Sequence, residues 1–384
     1  MSKVRLRDCA DVLNGYAFKS TKYVKNGFSV IRITNVQKGK VLNDDPKFYC
    51  QDDSLNKYQL FENDILISLT GNVGRVGRIS RDLLPAYLNQ RVGCIRIKDA
   101  SILDSGYLFN YLNSDFFENL CIENANGVAQ KNLSTEWLKD IFVFTPKIEI
   151  QQQIANVLET TTTLISKRKE QIALLDKLAK DVFIDMFGDP VSNPMGWENV
   201  ALEKLQSFLT SGSRGWAKHY SDEGEFFITI KNVRNGRLLK DNIQHVNAPN
   251  TKEAQRTRVQ ENDVLISITA DLGRTAVIDA KTAQDGAFIN QHLCLIRPLL
   301  SKVYPLYLSA YLESPAGHRQ FIQKDQMGVK SGLNFDAIKS ILVLLPDYEL
   351  QKKYTLIVSD IDAQKSRLQT SLAELEITYK SILQ

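Results

Sequence analysis

The chain contains one ordered set of short motifs twice, about 200 residues apart, a spacing far longer than the period of a solenoid repeat. Asn63-Asp-Ile-Leu-Ile-Ser-Leu-Thr70 returns as Asn262-Asp-Val-Leu-Ile-Ser-Ile-Thr269. Shorter matches keep the same order: Ile33-Thr-Asn-Val36 with Ile230-Lys-Asn-Val233, Asn89-Gln90 with Asn290-Gln291, Gly127-Val128 with Gly328-Val329, and Pro146 before Gln151 with Pro346 before Gln351. This order predicts two modules of the same fold.

Each copy ends in a long amphipathic segment, at 147–187 and at 347–384. Apolar residues recur there at alternating steps of four and three, as in helices that pack along their length. About forty residues at 1.5 Å each make a rod of roughly 60 Å. We expect the two helices to pack as an antiparallel coiled coil that separates the modules with pseudo-twofold symmetry.

Within each module, short runs rich in β-branched residues surround one helical segment, which predicts an α+β class with a mostly antiparallel sheet. The predicted strands lie at 27–36, 65–69, 92–97 and 142–144, and the helix at 106–122. In the second copy they lie at 226–230, 264–268, 293–297 and 341–345, and the helix at 305–323. The predicted domains are 1–147, a spacer helix at 148–187, a linker at 188–195, a second domain at 196–346 and a C-terminal helix at 347–384.

Composition narrows the class of protein. No apolar run reaches the length of a membrane span and the start lacks the apolar core of a signal peptide, so we expect a cytoplasmic protein without membrane contact. The five cysteines are dispersed, which disfavours a disulfide framework or a zinc site, and no metal site is predicted. The globular parts are mildly basic and the helical parts mildly acidic, which suits contact with nucleic acid.

Motifs of known catalytic chemistry are missing, so we predict no catalytic residues and no cofactor. The sequence has no GxxxxGK[ST], HExxH or GxSxG string and no Asn/Asp-Pro-Pro-aromatic tetrapeptide. The string Gly71-Asn-Val-Gly74-Arg-Val-Gly77 imitates a dinucleotide-binding loop, but the second copy places Asp271 where the phosphate would lie. What both copies share is a turn glycine followed by an arginine.

Two domains that recognise different DNA sequences should differ at the residues that contact the bases. Asn89-Gln90 is shared by both copies, which favours a structural role for it. Basic and amide side chains, above all those that differ between the copies, are the better candidates for contact with DNA. The candidate DNA-binding residues are Lys19, Lys22, Lys38, Lys40, Asn72, Arg75, Arg91, Gln130, Lys131, Arg214, Lys218, Arg237, Arg274, His292 and Lys330. Solvated surface is the competing interpretation for each.

Large apolar residues are also concentrated at the helix ends. Apolar surface at the end of an otherwise solvated rod predicts a site where a partner docks. The candidates are Phe183, Phe187, Tyr379 and Leu383.

A family resemblance rests on an ordered set of motifs: Gly15-Tyr-Ala-Phe-Lys-Ser20, Asn63-Asp-Ile-Leu-Ile-Ser68 with Gly74-Arg75, Gly127-Val-Ala-Gln-Lys-Asn-Leu133, Pro146 with Gln151-Gln-Gln-Ile-Ala155, Met186-Phe-Gly-Asp-Pro190 and Gly196-Trp197. With these motifs the chain resembles a specificity (S) subunit of a type I DNA restriction–modification system over essentially its whole length. The second copy departs at Ser211-Gly-Ser-Arg-Gly215 and at Gln351-Lys-Lys-Tyr354, which suggests that the two halves recognise unrelated sequences.

The resemblance implies two target recognition domains, each binding one half of a split, asymmetric site on double-stranded DNA, with the helix pair setting the gap. It also implies two modification (methyltransferase) subunits and restriction (translocase/nuclease) subunits as partners that carry the chemistry. Three alternatives stay open: a recognition subunit of another restriction system with fused nuclease and methylase, an enzyme with unrecognised motifs, and a protein scaffold that does not bind DNA.

Overall fold

The computed structural model describes residues 2–127, 131–325 and 332–383, and the chain divides into two units. Unit 1 comprises Met1–Lys169 with Thr370–Gln384, and unit 2 comprises Glu170–Gln369. Each unit mixes helices and strands, and the sheets of both are antiparallel except for one parallel strand pair in each. The predicted α+β class with two similar modules is confirmed.

Unit 1 contains two four-stranded sheets, with strand orders β2-β11-β8-β9 and β6-β3-β10-β7, and the strand pairs β1-β12 and β4-β5. Its strands are β1 Ser2–Arg5, β2 Ala10–Asn14, β3 Phe28–Ile31, β4 Val36–Gln37, β5 Lys40–Val41, β6 Phe48–Tyr49, β7 Gln59–Leu60, β8 Ile65–Ser68, β9 Val76–Arg78, β10 Ala86–Leu88, β11 Val92–Ile97 and β12 Phe142–Thr145. Its helices are α1 Leu6–Cys9, α2 Ser105–Leu112, α3 Asp115–Asn124, α4 Thr135–Asp140 and the first part of α5 Ile148–Phe187.

Unit 2 has the same kinds of sheet, with strand orders β14-β23-β20-β21 and β15-β19-β16-β22, and the strand pairs β13-β24 and β17-β18. Its strands are β13 Glu198–Ala201, β14 Gln206–Ser211, β15 Tyr220–Ser221, β16 Glu225–Ile228, β17 Val233–Arg234, β18 Arg237–Leu238, β19 Gln244–Val246, β20 Val264–Ser267, β21 Thr275–Val277, β22 Ala287–Ile289, β23 Leu293–Pro298 and β24 Leu342–Leu345. Its helices are α6 Lys252–Thr257, α7 Ala280–Asp285, α8 Pro305–Glu313, α9 Pro315–Lys324, α10 Phe335–Lys339 and most of α11 Tyr348–Leu383.

The repeated apolar string forms a strand that is buried on both faces. In β8, Ile65 and Ile67 pack into the core beneath the helices of unit 1, whereas Leu66 packs into a second core between the sheets. Val264 and Leu265 of β20 divide between two cores in the same way. Burial on both faces explains why these strands are continuous apolar runs without alternation.

The polar residues that open the repeated string fix the start of its strand. Asp64 is buried and accepts two hydrogen bonds from Arg96, from Nε at 2.8 Å and from Nη2 at 2.6 Å. Asp263 and Arg297 repeat this pair with both distances at 2.8 Å. The preceding Asn63 has a φ of 69°, in the left-handed region that asparagine tolerates better than most residues. The Asn-Asp motif is therefore structural.

A buried glutamine joins each module to its long helix. Gln151 is fully buried; its Oε1 accepts a hydrogen bond from the Asp104 backbone amide at 2.9 Å. Its Nε2 donates to the carbonyls of Ile102 at 2.9 Å and Pro146 at 2.8 Å. In unit 2, Gln351 makes the equivalent bonds to Tyr304, Lys302 and Pro346. The repeated Pro-x₄-Gln spacing therefore fixes where each helix leaves its module.

Both long helices are continuous, and α5 and α11 contribute to both units. Within unit 2 they run antiparallel, because Phe183 and Phe187 of α5 contact Tyr354 near the start of α11, whereas Asp176 pairs with Lys365 further along. Within unit 1, Lys169 and Glu376 form an ion pair at 2.8 Å. The first helix ends at Gly188, whose φ is 78° and whose amide bonds to the Ile184 carbonyl, as the Gly-Pro stretch predicts.

The single helices predicted at 106–122 and at 305–323 are wrong in one respect, because each is two helices. Ser114 caps α3 by accepting a hydrogen bond from the Phe117 amide at 3.2 Å. Ser314 caps α9 in the same way, and Pro315 in its first turn prevents α8 from continuing. The apolar spacing runs through both breaks, so periodicity alone does not reveal them.

Candidate nucleic-acid interface

Four loop segments lie side by side at one end of the sheets in unit 1. The Gln90 amide donates to the Tyr16 carbonyl at 2.9 Å, and the Leu69 amide donates to the Arg91 carbonyl at 3.1 Å. The Leu133 amide donates in turn to the Leu69 carbonyl at 2.8 Å. These bonds order the segments 15–16, 89–91, 69–75 and 131–133 into a row, which we call the loop edge of unit 1.

Unit 2 builds a loop edge from the matching segments 212–213, 290–292, 268–274 and 332–333. Ser213 forms a β-bridge with Asn290, and the Ile268 amide donates to the His292 carbonyl at 3.0 Å. The Leu333 amide donates to the Ile268 carbonyl at 3.0 Å. The chain therefore makes the same row of loops twice, with different side chains on it.

A glycine allows the first two segments of each row to approach closely. A Cβ on Gly15 would lie 2.2 Å from the Asn89 carbonyl oxygen, and one on Gly212 would lie 2.1 Å from the Asn290 carbonyl oxygen. No other residue fits at either position without moving the neighbouring strand. The glycine is shared although the strings around it differ, which marks it as part of the scaffold.

Several predicted DNA-binding residues of unit 1 meet on or beside its loop edge. Asn72, Arg91 and Lys131 are exposed there. Lys19 and Lys22 are exposed on the turn that continues from Tyr16. A surface with four cations and an amide attracts phosphates and can donate hydrogen bonds to base edges. Arg75 differs because it is half-buried, with Nη1 donating to Gln37 Oε1 at 3.2 Å.

The loop edge of unit 2 carries different polar side chains from that of unit 1. His292 is half-buried, and its Nδ1 lies 2.7 Å from Thr269 Oγ1. Arg274 pairs with Asp271 in the same loop, whereas Arg214 and Lys218 are exposed beside the row. An imidazole, a hydroxyl and a carboxylate on one edge offer donors and acceptors where unit 1 offers mainly cations. The differing positions of the repeat are therefore the ones that distinguish the two edges.

Aromatic residues support the start of both rows. Tyr16 is 36% exposed and packs against Phe18 and Tyr58, with ring centroids 5.0 and 5.3 Å away. In unit 2, where Ser213 matches Tyr16, the nearby Trp216 is buried and its ring centroid lies 5.1 Å from that of Phe227. The aromatic side chains stiffen the backbone from which the neighbouring lysines project.

Arg256, which no sequence pattern singled out, organises the first loop of unit 2. Its guanidinium bonds to the Thr210 hydroxyl, to the Ser211 carbonyl at 2.9 Å and to Glu253 at 2.6 Å. Trp216 Nε1 donates to Ser213 Oγ at 2.8 Å on the same loop. One indication of this role is present in the sequence: Ser211-Gly-Ser-Arg-Gly215 departs from the string of the first copy, so the loop it forms needs other side chains to hold it.

Lys38 and Lys40 lie on the hairpin β4-β5, outside the four segments of the loop edge. The Gly39 amide of this hairpin donates to the Val76 carbonyl at 2.8 Å, which seats the turn on β9. Lys38 pairs with Asp115 and with Glu118. Burial opposes its charge, but the hydrogen bonds to these carboxylates outweigh burial and raise the pKa of Lys38. Lys40 is exposed.

Arg237, on the matching hairpin β17-β18, corrects our expectation of a solvated cation. Its guanidinium faces the long helices and pairs with Asp176 at 3.6 Å and with Asp362. The side chain is 26% exposed, and burial lowers the pKa of the guanidinium. Carboxylates on two helices hold this arginine, so it is an ion-paired side chain and not a solvated one.

The predicted apolar docking surface also needs correction. Phe183 and Phe187 are 5% and 2% exposed and pack on Tyr307 and Tyr354 in the core of unit 2. They are core residues because the module of unit 2 covers this end of α5. Tyr379 and Leu383 are half-buried in unit 1. The large apolar side chains exposed on α5 include Leu174 and Leu178, which are 57% and 45% exposed.

Gln130 and Lys330 lie outside the described residues. Across the described ranges, no three His, Cys, Asp or Glu side chains come together as a potential metal site. No helix in the described part of the chain combines the length and apolarity needed to cross a membrane.

Comparison with known proteins places these features in a family. The profile of the type I restriction modification DNA specificity domain matches residues 1–174 and again 194–377. The EcoBI type I restriction enzyme specificity subunit of Escherichia coli is 22% identical over 99% of this chain and 84% of its own length. The MjaVIII specificity subunit of Methanocaldococcus jannaschii is 29% identical over 47% of this chain and 43% of its own length.

A solved structure shows the same fold. The S subunit of a type I restriction–modification system from M. genitalium has a TM-score of 0.65 at 17% identity, covering 100% of this chain and 94% of that one. With the profile matching both halves of the repeat, the chain belongs to the type I restriction–modification DNA specificity family.

Proposed function

We propose that this chain is the sequence-recognition subunit, without catalytic activity of its own, of a type I restriction–modification complex. The duplicated loop edge is the observation that carries the proposal. One scaffold, fixed by shared structural residues, presents different side chains at matching positions in two units. A subunit that recognises two unrelated half-sites needs this combination of constant framework and variable edge.

Each half-site is assigned to one module. Residues 1–147 bind one half through the loop edge of unit 1, and residues 196–346 bind the other half through the loop edge of unit 2. The helices at 148–187 and 347–384 set the number of bases between them, and 188–195 links the halves. Half-sites on one face of the DNA lie about 34 Å apart for each helical turn between them, and a helix of roughly 60 Å is long enough to span that distance.

Methylation and cleavage belong to partner subunits in this proposal. Exposed leucines at 174 and 178, with Leu368 on α11, make an apolar surface on an otherwise polar part of the helix pair. Such a surface suits an apolar helix of a modification subunit. Tyr379 and Leu383 form a second proposed contact, and restriction subunits join through the modification subunits.

Salt-dependent DNA binding tests the DNA-binding role. The chain is purified with its modification subunits, and the affinity for duplex DNA is measured between 50 and about 200 mM salt. Replacing Lys19, Lys22 and Arg91 by alanine should reduce the slope of log affinity against log salt by about 2 to 3, since each lost phosphate contact contributes about 0.9. Alanine at Lys38 and Lys40, on the hairpin outside the four loop segments, is the control, and it removes two charges where the first variant removes three.

Equal slopes for the two variants would contradict the assignment of the loop edge. Binding of every duplex with the same affinity, with or without modification subunits, would sink the recognition role itself. For the docking surface, Leu174→Asp with Leu178→Asp should abolish co-purification of the modification subunit. Leu239→Asp, at an exposed leucine outside the helices, should leave co-purification intact.

A further inference from the structure

Four charged side chains meet where the hairpin β17-β18 reaches the long helices inside unit 2. Arg237 of the hairpin pairs with Asp176 of α5 at 3.6 Å and with Asp362 of α11. Asp176 also pairs with Lys365 of α11. Two cations and two carboxylates therefore join three elements, and we call this group the hairpin clamp.

The hairpin presents Arg237 from a rigid turn. Asn235 and Gly236 have φ values of 52° and 72°, the left-handed pair that a tight two-residue hairpin requires. The Gly236 amide donates to the Thr275 carbonyl at 3.0 Å, which fixes the turn on β21. Glu313 Oε1 accepts from the Thr275 amide at 2.7 Å and lies 3.4 Å from the Gly236 amide. The arginine is thus tied to the sheet of the module that carries the second loop edge.

The clamp is only partly hydrated. The side chains of Lys365, Arg237 and Asp362 are 11%, 26% and 29% exposed. Ion pairs in such surroundings are screened less than surface pairs, and removing one member leaves its partners poorly solvated. Asp176 and Asp362 would both lose their shared partner if Arg237 were replaced by a neutral residue.

Unit 1 has no equivalent clamp among its described residues. Its matching hairpin uses Lys38 to bind Asp115 and Glu118 of α3, which belong to the module itself. The module reaches the long helix through Arg78, which pairs with Glu159 at 2.8 Å. Thr162, which corresponds to Asp362 when Gln151 is matched with Gln351, donates its hydroxyl to the Leu158 carbonyl within its own helix. The two modules therefore share the buried glutamine joint but differ in the ion pairs that connect them to the helices.

We propose that Arg237 is a positioning residue for gap length: by binding both long helices it fixes the orientation of the second loop edge on the spacer. This inference rests on the proposed function. The helices set the nominal distance between the half-sites, and the clamp sets how strictly that distance is enforced. A module that can rock on the helices accepts DNA with a neighbouring gap length, whereas a clamped module rejects it.

Methylation rates on duplexes of varied gap test the clamp. The full chain is assembled with its modification subunits and given duplexes that carry the mapped bipartite site with its native gap, one base fewer or one base more. For the unmodified chain we expect strong preference for the native gap. Arg237→Gln should reduce that preference at least tenfold while slowing methylation at the native gap only a few-fold.

Matched variants separate positioning from other roles. Arg234→Gln, at the exposed arginine opposite Arg237 on the same hairpin, should keep the preference unchanged. Asp362→Asn should relax it as Arg237→Gln does. Arg237→Lys should be intermediate, because one ammonium cannot bind carboxylates on two helices in the way a guanidinium does. An unchanged preference in Arg237→Gln overturns the inference, and so does an equal loss of methylation at every gap.

A second measurement needs no DNA. Hydrogen exchange of the amides at 233–238 in the complex should become faster in Arg237→Gln and stay unchanged in Arg234→Gln. If the unmodified complex shows no gap preference, the proposed function fails, and exchange alone then decides whether the clamp exists. Unchanged exchange in Arg237→Gln would show that it does not.

Discussion

Replacing Gln151 by alanine should destabilise unit 1 by loosening the joint between the module and its helix. The side chain is fully buried and makes three hydrogen bonds of 2.8 to 2.9 Å to the loop at 102–104 and to Pro146. Truncation leaves one amide and two carbonyls without this partner. Each buried polar group left unpaired costs about 1–3 kcal/mol, and the low end applies where water can enter the space. We therefore expect a loss of about 3 kcal/mol in the free energy of unfolding of unit 1.

Hydrogen exchange at increasing urea concentration measures this loss unit by unit, because peptides from each unit report their own opening. Gln152→Ala is the matched control, since the neighbouring glutamine is exposed on the same turn of α5. The control should change the unfolding free energy by less than about 0.5 kcal/mol. Peptides of unit 2 should be unaffected in both variants.

The result that refutes this reasoning is a Gln151→Ala variant no less stable than Gln152→Ala. Such a result would mean that water or a shift of the loop replaces the three bonds without cost. The joint would then not fix where the helix leaves the module, and the helix could not act as a ruler for the first half-site.

Other predictions follow from buried and strained groups. Burial raises the pKa of Glu313, so the folded state holds this proton more tightly than the unfolded state and stability falls as pH rises through the raised pKa. Glu313→Gln keeps the accepting oxygen but cannot ionise. At a pH above the raised pKa its urea midpoint should exceed that of the unmodified protein, and at about pH 4, where Glu313 is protonated in the folded state, the two midpoints should match. The same difference at both pH values would contradict this. Gly74→Ala should cost about 2–3 kcal/mol in thermal unfolding, because its Cβ would lie 2.8 Å from Cys121 Cβ at a φ of 83°. Gly71→Ala, at a φ of 69° in open space, should cost about 1 kcal/mol, and equal costs would refute the steric argument. Asp263→Asn should lower the unfolding free energy by about 3 kcal/mol, because Arg297 then loses the buried carboxylate that it pairs with. Glu225→Gln, at the more exposed pair with Arg258, should cost less than about 1 kcal/mol.

The repeat and the strand and helix patterns predicted the framework well, because their residues act locally. The string from Asn63 to Thr70 specifies a buried strand by its own composition, and Gly188 ends a helix by its own backbone freedom. The Pro-Gln match at 146 and 151 was visible in the sequence. The role of this match was not visible, because the loop that Gln151 binds lies nearly fifty residues earlier in the chain.

The surroundings of the candidate DNA-binding residues were predicted less completely, since charge in a sequence does not tell which partner a side chain meets. Arg91 and Arg237 both look like cations in turns, yet one is exposed on the loop edge and the other is held by two helices. Phe183 and Phe187 look like apolar ends of a solvated rod until Tyr307 covers them. Long-range packing decided each case.

Mapping the methylated sequences produced by the assembled complex tests the central claim most directly. The unmodified chain is compared with one that carries Asn72→Ala, Arg91→Ala and Lys131→Ala on the loop edge of unit 1. The account predicts that one half of the bipartite site becomes degenerate or changes, while the other half and the gap stay the same. Simultaneous change in both halves, or an unaltered site at unaltered activity, would contradict it.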